Sequence, residues 1–573
     1  MTITAVVRIG CCAAVVFAVA SCAPPPPVRP TDLTNPQPVL LDQGPNWTQS
    51  ARSDFYSRDQ GSRIMPLRWM QALKQPNGEA FIAESLGRYG YLPNNDIPGM
   101  PIGFTVAGSS GNETIGMTCS ACHTRQITVA NTAYRVDGGP AIVDFQSFLA
   151  DLDTAVNTVL TNETAFSEFA QAVLGRPPTP QEKASLRQEV SDWFYPYHTL
   201  MTRALPPNAW GPARLDAVAM IFNRLTGLDI GPAPTHVIAE NIQRADAPVR
   251  YPFLWNSPVQ DKTQWPGFAD NGNDILGLSR NLGEVYGVFA VCRPKNDRWH
   301  LLGVNYLNEN SANFHGLNAL EGLVKKIGPP KWPFAVDTTL AKQGEAIYGW
   351  PKEQGGCAEC HAIRPGVTRF FEQKTWATPI QDVGTDTREY DILGWTAESG
   401  VLNGAEIPFV ISPLQPRDKS INILGVSVVG SILQEYVPLA APQAQARRRS
   451  TFSLTPEMAD LKGAFVPAPV PRAYESRVLQ GIWATAPYLH NGSVPTLADL
   501  LKPAAERPPA FQVGPAYDPV NVGLATDQTM FDYTLKTTDC SDRNSGNSRC
   551  GHEFGTQLSP AEKRALIEYL KVL

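Results

Sequence analysis

The sequence predicts a mainly α fold of two domains, with long ordered loops and few short strands. Three observations predict it. A Cys-x-x-Cys-His pentapeptide occurs twice, at 119–123 and 357–361. Helix-start signals recur along the chain, whereas strand signals are few and short. The 51 Pro and 45 Gly stand among plentiful aromatic residues, which points to shaped loops rather than disorder. At 573 residues and 43% hydrophobic content, the chain can bury two or more cores.

The amino end reads as an export signal, residues 1–21. Arg8 precedes an apolar run from Cys11 to Ala20 that is too short to span a bilayer. Val19-Ala20-Ser21-Cys22 has the form of a bacterial lipobox, so Cys22 is the expected lipidation site. An ordinary secretory peptide cut near Ala23 is the alternative. Pro24 to Pro27 begins a stiff, extended tether, assigned to residues 22–50. No later stretch is apolar enough to cross a membrane. These features predict a body lipid-anchored in the bacterial periplasm. The absence of Asp after Cys22 favours the outer membrane over the inner.

Each pentapeptide has the spacing of a c-type haem attachment site. Two thiols, Cys119 with Cys122 or Cys357 with Cys360, add across the vinyl groups of one haem. The following His, His123 or His361, then reaches the iron. A zinc site would need two more Cys or His near each pair, and none is suitably placed. A thioredoxin-like dithiol does not require the His. The expected cofactors are two covalently bound haem c groups, and the expected domains are cytochrome c-like.

Gly328-Pro329-Pro330-Lys331-Trp332-Pro333 is the best boundary. It separates a catalytic haem domain, 51–332, from a carboxyl-terminal haem domain, 333–573. Asp337 is placed to cap a helix running through Ala341 and Ile347 toward the second pentapeptide. Ser559-Pro560-Ala561-Glu562 is a capping box, and Thr179-Pro180-Gln181-Glu182 repeats it.

Of ten Cys, three remain outside the signal, the lipobox and the haem motifs. Cys540 and Cys550 lie in a polar segment and are expected to form a disulfide, which leaves Cys292 as a buried thiol. A net charge of −6 argues against nucleic-acid binding. There are eight His. Of those outside the motifs, His490 stands out, in a Pro- and Gly-flanked loop able to present a side chain to a metal.

The segment Gly481 to Pro495, GIWATAPYLHNGSVP, resembles the carboxyl haem domain of a dihaem c-type cytochrome family. That family is related to bacterial dihaem cytochrome c peroxidases, rubber oxygenases and dihaem fatty-acid dioxygenases. Arg135-Val136-Asp137-Gly138-Gly139-Pro140, Tyr251-Pro252-Phe253-Leu254-Trp255, Arg280-Asn281-Leu282-Gly283-Glu284 and Gly551-His552-Glu553-Phe554-Gly555 look similar as well. The resemblance implies that His490 is the second ligand of the carboxyl-terminal haem, opposite His361. It implies an open second side for the haem on His123.

Two chemistries suit one open and one closed haem. The first is dioxygenation of an unsaturated, lipid-like substrate by O₂ in an apolar pocket, with Trp255 as the expected distal residue. The second is reduction of H₂O₂ with electrons from a small cytochrome or cupredoxin, which requires a distal acid or base; Glu284 is the nearest candidate, in a segment that reads equally well as structural. A third reading is a plain electron-transfer cytochrome with both haems closed. Ca²⁺ between the domains, a feature of related peroxidases, has no EF-hand-like run to support it here.

Overall fold

The computed structural model describes residues 37–369, 372–408, 410–436 and 471–573. The signal, the lipobox Cys22 and the start of the tether lie outside the described residues. Helices begin where the capping residues stand. Thr179 and Ser559 form capping boxes on the helices Pro180–Ala204 and Pro560–Leu570, and Asp337 caps Thr338–Tyr348.

The mainly α expectation needs correction. The chain is 39% helix and 17% strand. Among the described residues the strands form two three-stranded and eight two-stranded sheets. Most are two to five residues long, too short to print a period-two pattern on the sequence. The largest hairpin, Thr124–Val129 with Thr132–Asp137, follows directly on the first pentapeptide. Its two-residue turn, Ala130-Asn131, has both residues at positive φ, as the twist of a tight hairpin requires.

Two further corrections concern boundaries. The tether does not extend to residue 50. Val39–Leu40 adds a parallel strand to the hairpin, and Trp47 is buried. Nor do the cores divide at residue 332. One core joins residues 64–314 to the helix Ser420–Tyr436. The other joins residues 41–142 to the helices Phe314–Val324, Thr338–Tyr348 and Pro560–Leu570. The segment after residue 332 therefore contributes to both cores.

Asp137 fastens this arrangement. Its carboxylate accepts from Trp47 Nε1 (2.8 Å), Arg52 Nε (2.6 Å) and the Tyr56 hydroxyl (2.6 Å). Asp137 is 1% exposed and Arg52 7%. Removing one partner of a buried pair strands the other charge. Asp137→Ala is therefore expected to destabilise the protein by about 3–5 kcal/mol, read from the denaturant midpoint.

Candidate haem sites

Each pentapeptide forms part of the wall of its own cavity. The first is lined by Cys119, Cys122 and His123. The second is lined by Cys357, Cys360 and His361. Both walls are largely apolar, as a flat hydrophobic ligand requires. The four thiols are free rather than paired in disulfides.

The two motif histidines are held alike. His123 Nδ1 lies 2.9 Å from the Pro252 carbonyl oxygen, and His361 Nδ1 lies 2.7 Å from that of Arg477. A carbonyl accepts only from N–H, which fixes the proton on Nδ1 and leaves the Nε2 lone pair free. Burial pushes the His123 pKa down to about 4 and lowers that of His361. Both are thus neutral imidazoles, the form that binds a metal. Paired thiols, a neutral imidazole with a free Nε2 and a cavity with largely apolar walls together fit a c-type haem.

The second cavity holds a further pair. The rings of His361 and His552 stand 6.1 Å apart, centre to centre, and both line the wall. Two imidazoles sharing one metal from opposite sides, each at a metal–nitrogen distance of about 2 Å, have centres about 6 Å apart. His552 has positive φ (51°), an uncommon conformation for a residue other than glycine. Several groups hold it there. Arg507 donates to the carbonyls of Arg549, Gly551 and His552. Gly551, also at positive φ, presses against Gly384, where a Cβ would fall 2.3 Å from backbone carbon. The Cys540–Cys550 disulfide is closed two residues upstream. Burial, followed by the charges of His361 and Arg507, pushes the His552 pKa down to about 3.

His490, expected opposite His361, also lines this cavity but is engaged elsewhere. Its ring stacks on Tyr474 at 3.9 Å, and its Nε2 lies 2.8 Å from Asp386 Oδ2. That contact is close but not aligned as a hydrogen bond. Sequence alone does not rank His552 above His490, because the direction of the His490 ring depends on Tyr474 and on Asp386, a residue remote in sequence.

Two further placements concern the first cavity. Trp255 does not line it. Its indole stacks on Phe253 at 4.9 Å and donates to the Gln480 carbonyl, one layer behind the wall. Glu284 does line it, beside Gln264, Arg280 and Asn281. Its Oε1 accepts from Gln264 Nε2 at 3.2 Å, and burial raises its pKa. The helices Ala217–Arg224 and Asp274–Gly287 supply apolar wall through Met220, Ile221 and Val288, the last just past the second helix. No histidine besides His123 lines this cavity among the described residues; Met117 and Met220 are its thioethers.

Four residues line both cavities: Arg250, Phe253, Trp265 and Arg477. Sequence reasoning missed Trp265 as a bridge. Other tryptophans between the two pentapeptides in sequence lie elsewhere: Trp299 is exposed, and Trp332 packs edge-on against Trp483.

Comparison with known proteins agrees with this chemistry. Residues 473–512 match the family described as RoxA-like, cytochrome c-like. The match spans Tyr474, Glu475, Arg477 and His490 in the second cavity wall and points to haem c. The uncharacterized protein y4iJ of Sinorhizobium fredii is 30% identical, over 92% of this chain and 92% of its own length. The uncharacterized protein y4iM of the same organism is 30% identical, over 65% of this chain and 74% of its own.

Proposed function

Because the chain belongs to the family of the rhizobial protein y4iJ and carries a RoxA-like, cytochrome c-like segment, we propose that it is an exported dihaem c-type oxidoreductase. The supporting observation is the asymmetry between the cavities. One has two imidazoles facing each other; the other has one histidine and largely apolar walls. Cys119 and Cys122 would hold one haem and Cys357 and Cys360 the other, with His123 and His361 presenting Nε2. When bound, haem supplies an iron that exchanges electrons and, where one side is open, takes up O₂ or peroxide.

In this reading the His123 cavity is the reaction chamber. Phe145, Leu215, Ile221 and Val249 in its wall exclude water and favour a hydrophobic, unsaturated substrate. His361 and His552 close the other site, which suits it to passing electrons. Trp265, in the wall common to both cavities, offers an aromatic path between them. Export on a lipid at Cys22 would place this chemistry in the periplasm.

Oxygen uptake by the purified dihaem protein tests the reading. It is measured with unsaturated fatty acids and polyisoprene, catalase present and no added reductant. Uptake with stoichiometric oxidised product is expected. A second reading, peroxide reduction fed by a small cytochrome or cupredoxin, is favoured by one observation: Glu284 lines the chamber. No uptake, together with peroxide turnover, would select it.

A further inference from the structure

The wall between the cavities contains two buried cations with too little negative charge to balance them. Arg250 is 5% exposed and Arg477 6%. Both guanidiniums lie against the Trp265 ring, with Cζ 4.8 and 4.6 Å from its centre. Arg250 donates to neutral carbonyls, those of Leu489 (3.0 Å) and Thr485 (3.4 Å). Arg477 Nε has no hydrogen-bond acceptor. Its nearest carboxylate oxygen, Glu475 Oε2, is 3.8 Å away. Burial pushes the Glu475 pKa up to about 7, so this carboxyl is only partly ionised at neutral pH. Burial, then the like charge of Arg477, pushes the Arg250 pKa down to about 9.

A buried unpaired charge is costly, and two side by side cost more. Arg280, in the same first cavity, shows the ordinary solution: it is paired with Glu321. Arg250 has no carboxylate partner and Arg477 only the loose 3.8 Å contact with Glu475, yet each faces both cavities. A guanidinium offers a planar fork of donors matched to a carboxylate. Haem carries two propionate carboxylates.

We propose that Arg250 and Arg477 form a common carboxylate-binding site that takes propionates from the haems of both cavities. This rests on the reading that each cavity holds a haem. The missing negative charge in the wall then comes from the cofactors themselves. Positive charge shared by two redox centres favours the reduced form of each, so the pair raises both potentials.

The test is spectroelectrochemical titration of the holoprotein and of Arg477→Gln and Arg477→Lys, with resonance Raman spectra of the propionate bending modes. In Arg477→Gln both midpoint potentials are expected to fall, each by about a tenfold change in the reduction equilibrium, about 59 mV for a one-electron couple. Arg477→Lys retains the charge but not the fork; it should hold both potentials and still shift the propionate modes. Movement of one potential only, or of neither with unchanged propionate modes, would overturn the proposal. Haem counting by pyridine haemochrome separates the two failures. A wild-type chain with fewer than two covalently bound haems defeats the dihaem reading itself. Two haems with unmoved potentials defeat only the shared site. If Arg477→Gln takes up no haem, the Arg477→Lys spectra decide.

Discussion

Replacing His552 with Ala is expected to abolish the low-spin signature of one haem and leave the other unchanged, whereas His490→Ala should leave both. The His361–His552 centre separation of 6.1 Å is that of two ligands on one metal. His490 stacks on Tyr474 and abuts Asp386. The backbone supports the same choice. Holding a residue other than glycine at positive φ costs about 1–3 kcal/mol and persists where the surroundings fix it. At His552 the Arg507 hydrogen bonds, the Gly551–Gly384 approach and the disulfide do so. His490→Ala removes a packed ring, so it should lower stability while retaining both spectra. Electron paramagnetic resonance and visible spectra of the oxidised proteins read the outcome. Loss of low-spin signal in His490→Ala with retention in His552→Ala would restore His490 as the ligand.

The sequence exposed local chemistry well and spatial relations poorly. The pentapeptides, the caps at Thr179, Asp337 and Ser559, and the Cys540–Cys550 spacing are contained in short stretches, where covalent geometry and the first turn of a helix set the pattern. The common wall is different. Arg250, Trp265 and Arg477 come from segments more than two hundred residues apart at their extremes, and no periodicity links them. The family resemblance of the aromatic stretch from Tyr251 to Phe268 places Trp255 at the pocket, yet the chain turns so that Phe253 faces the cavities and Trp255 packs behind it. The boundary at residue 332 followed a Pro-rich break, but the Ser420–Tyr436 helix returns to the first core, with Tyr286 donating to Ser431. Strands such as Arg214–Leu215 pair with Val249–Arg250 over two residues, below the length at which alternation carries information.

Under the peroxide reading, Glu284→Gln should lower turnover by about 100- to 10,000-fold, the range for loss of a positioned acid–base group. Glu284 Oε1 is held by Gln264, and among the described residues no hydrogen bond reaches its Oε2, which is left to meet a proton in the chamber. In this role Glu284 takes a proton from incoming peroxide at Oε2 and returns it to the departing oxygen. Burial raises the Glu284 pKa, so its base form appears at higher pH than that of an exposed carboxyl. Wild-type turnover should therefore rise with pH through that raised pKa, and Glu284→Gln should lose this limb of the profile. Stability runs the other way. A carboxyl whose pKa is raised by folding contributes stability below its unfolded pKa and loses it as pH rises through the folded value. Thermal unfolding across the same window should thus weaken in wild type more than in Glu284→Gln, which separates a folding effect from a catalytic one. Peroxide kinetics with a reduced cytochrome as donor, on protein with full haem content, make the measurement. Turnover within a few-fold of wild type would confine Glu284 to bracing Gln264 and leave the O₂-dependent reaction as the reading of this chamber.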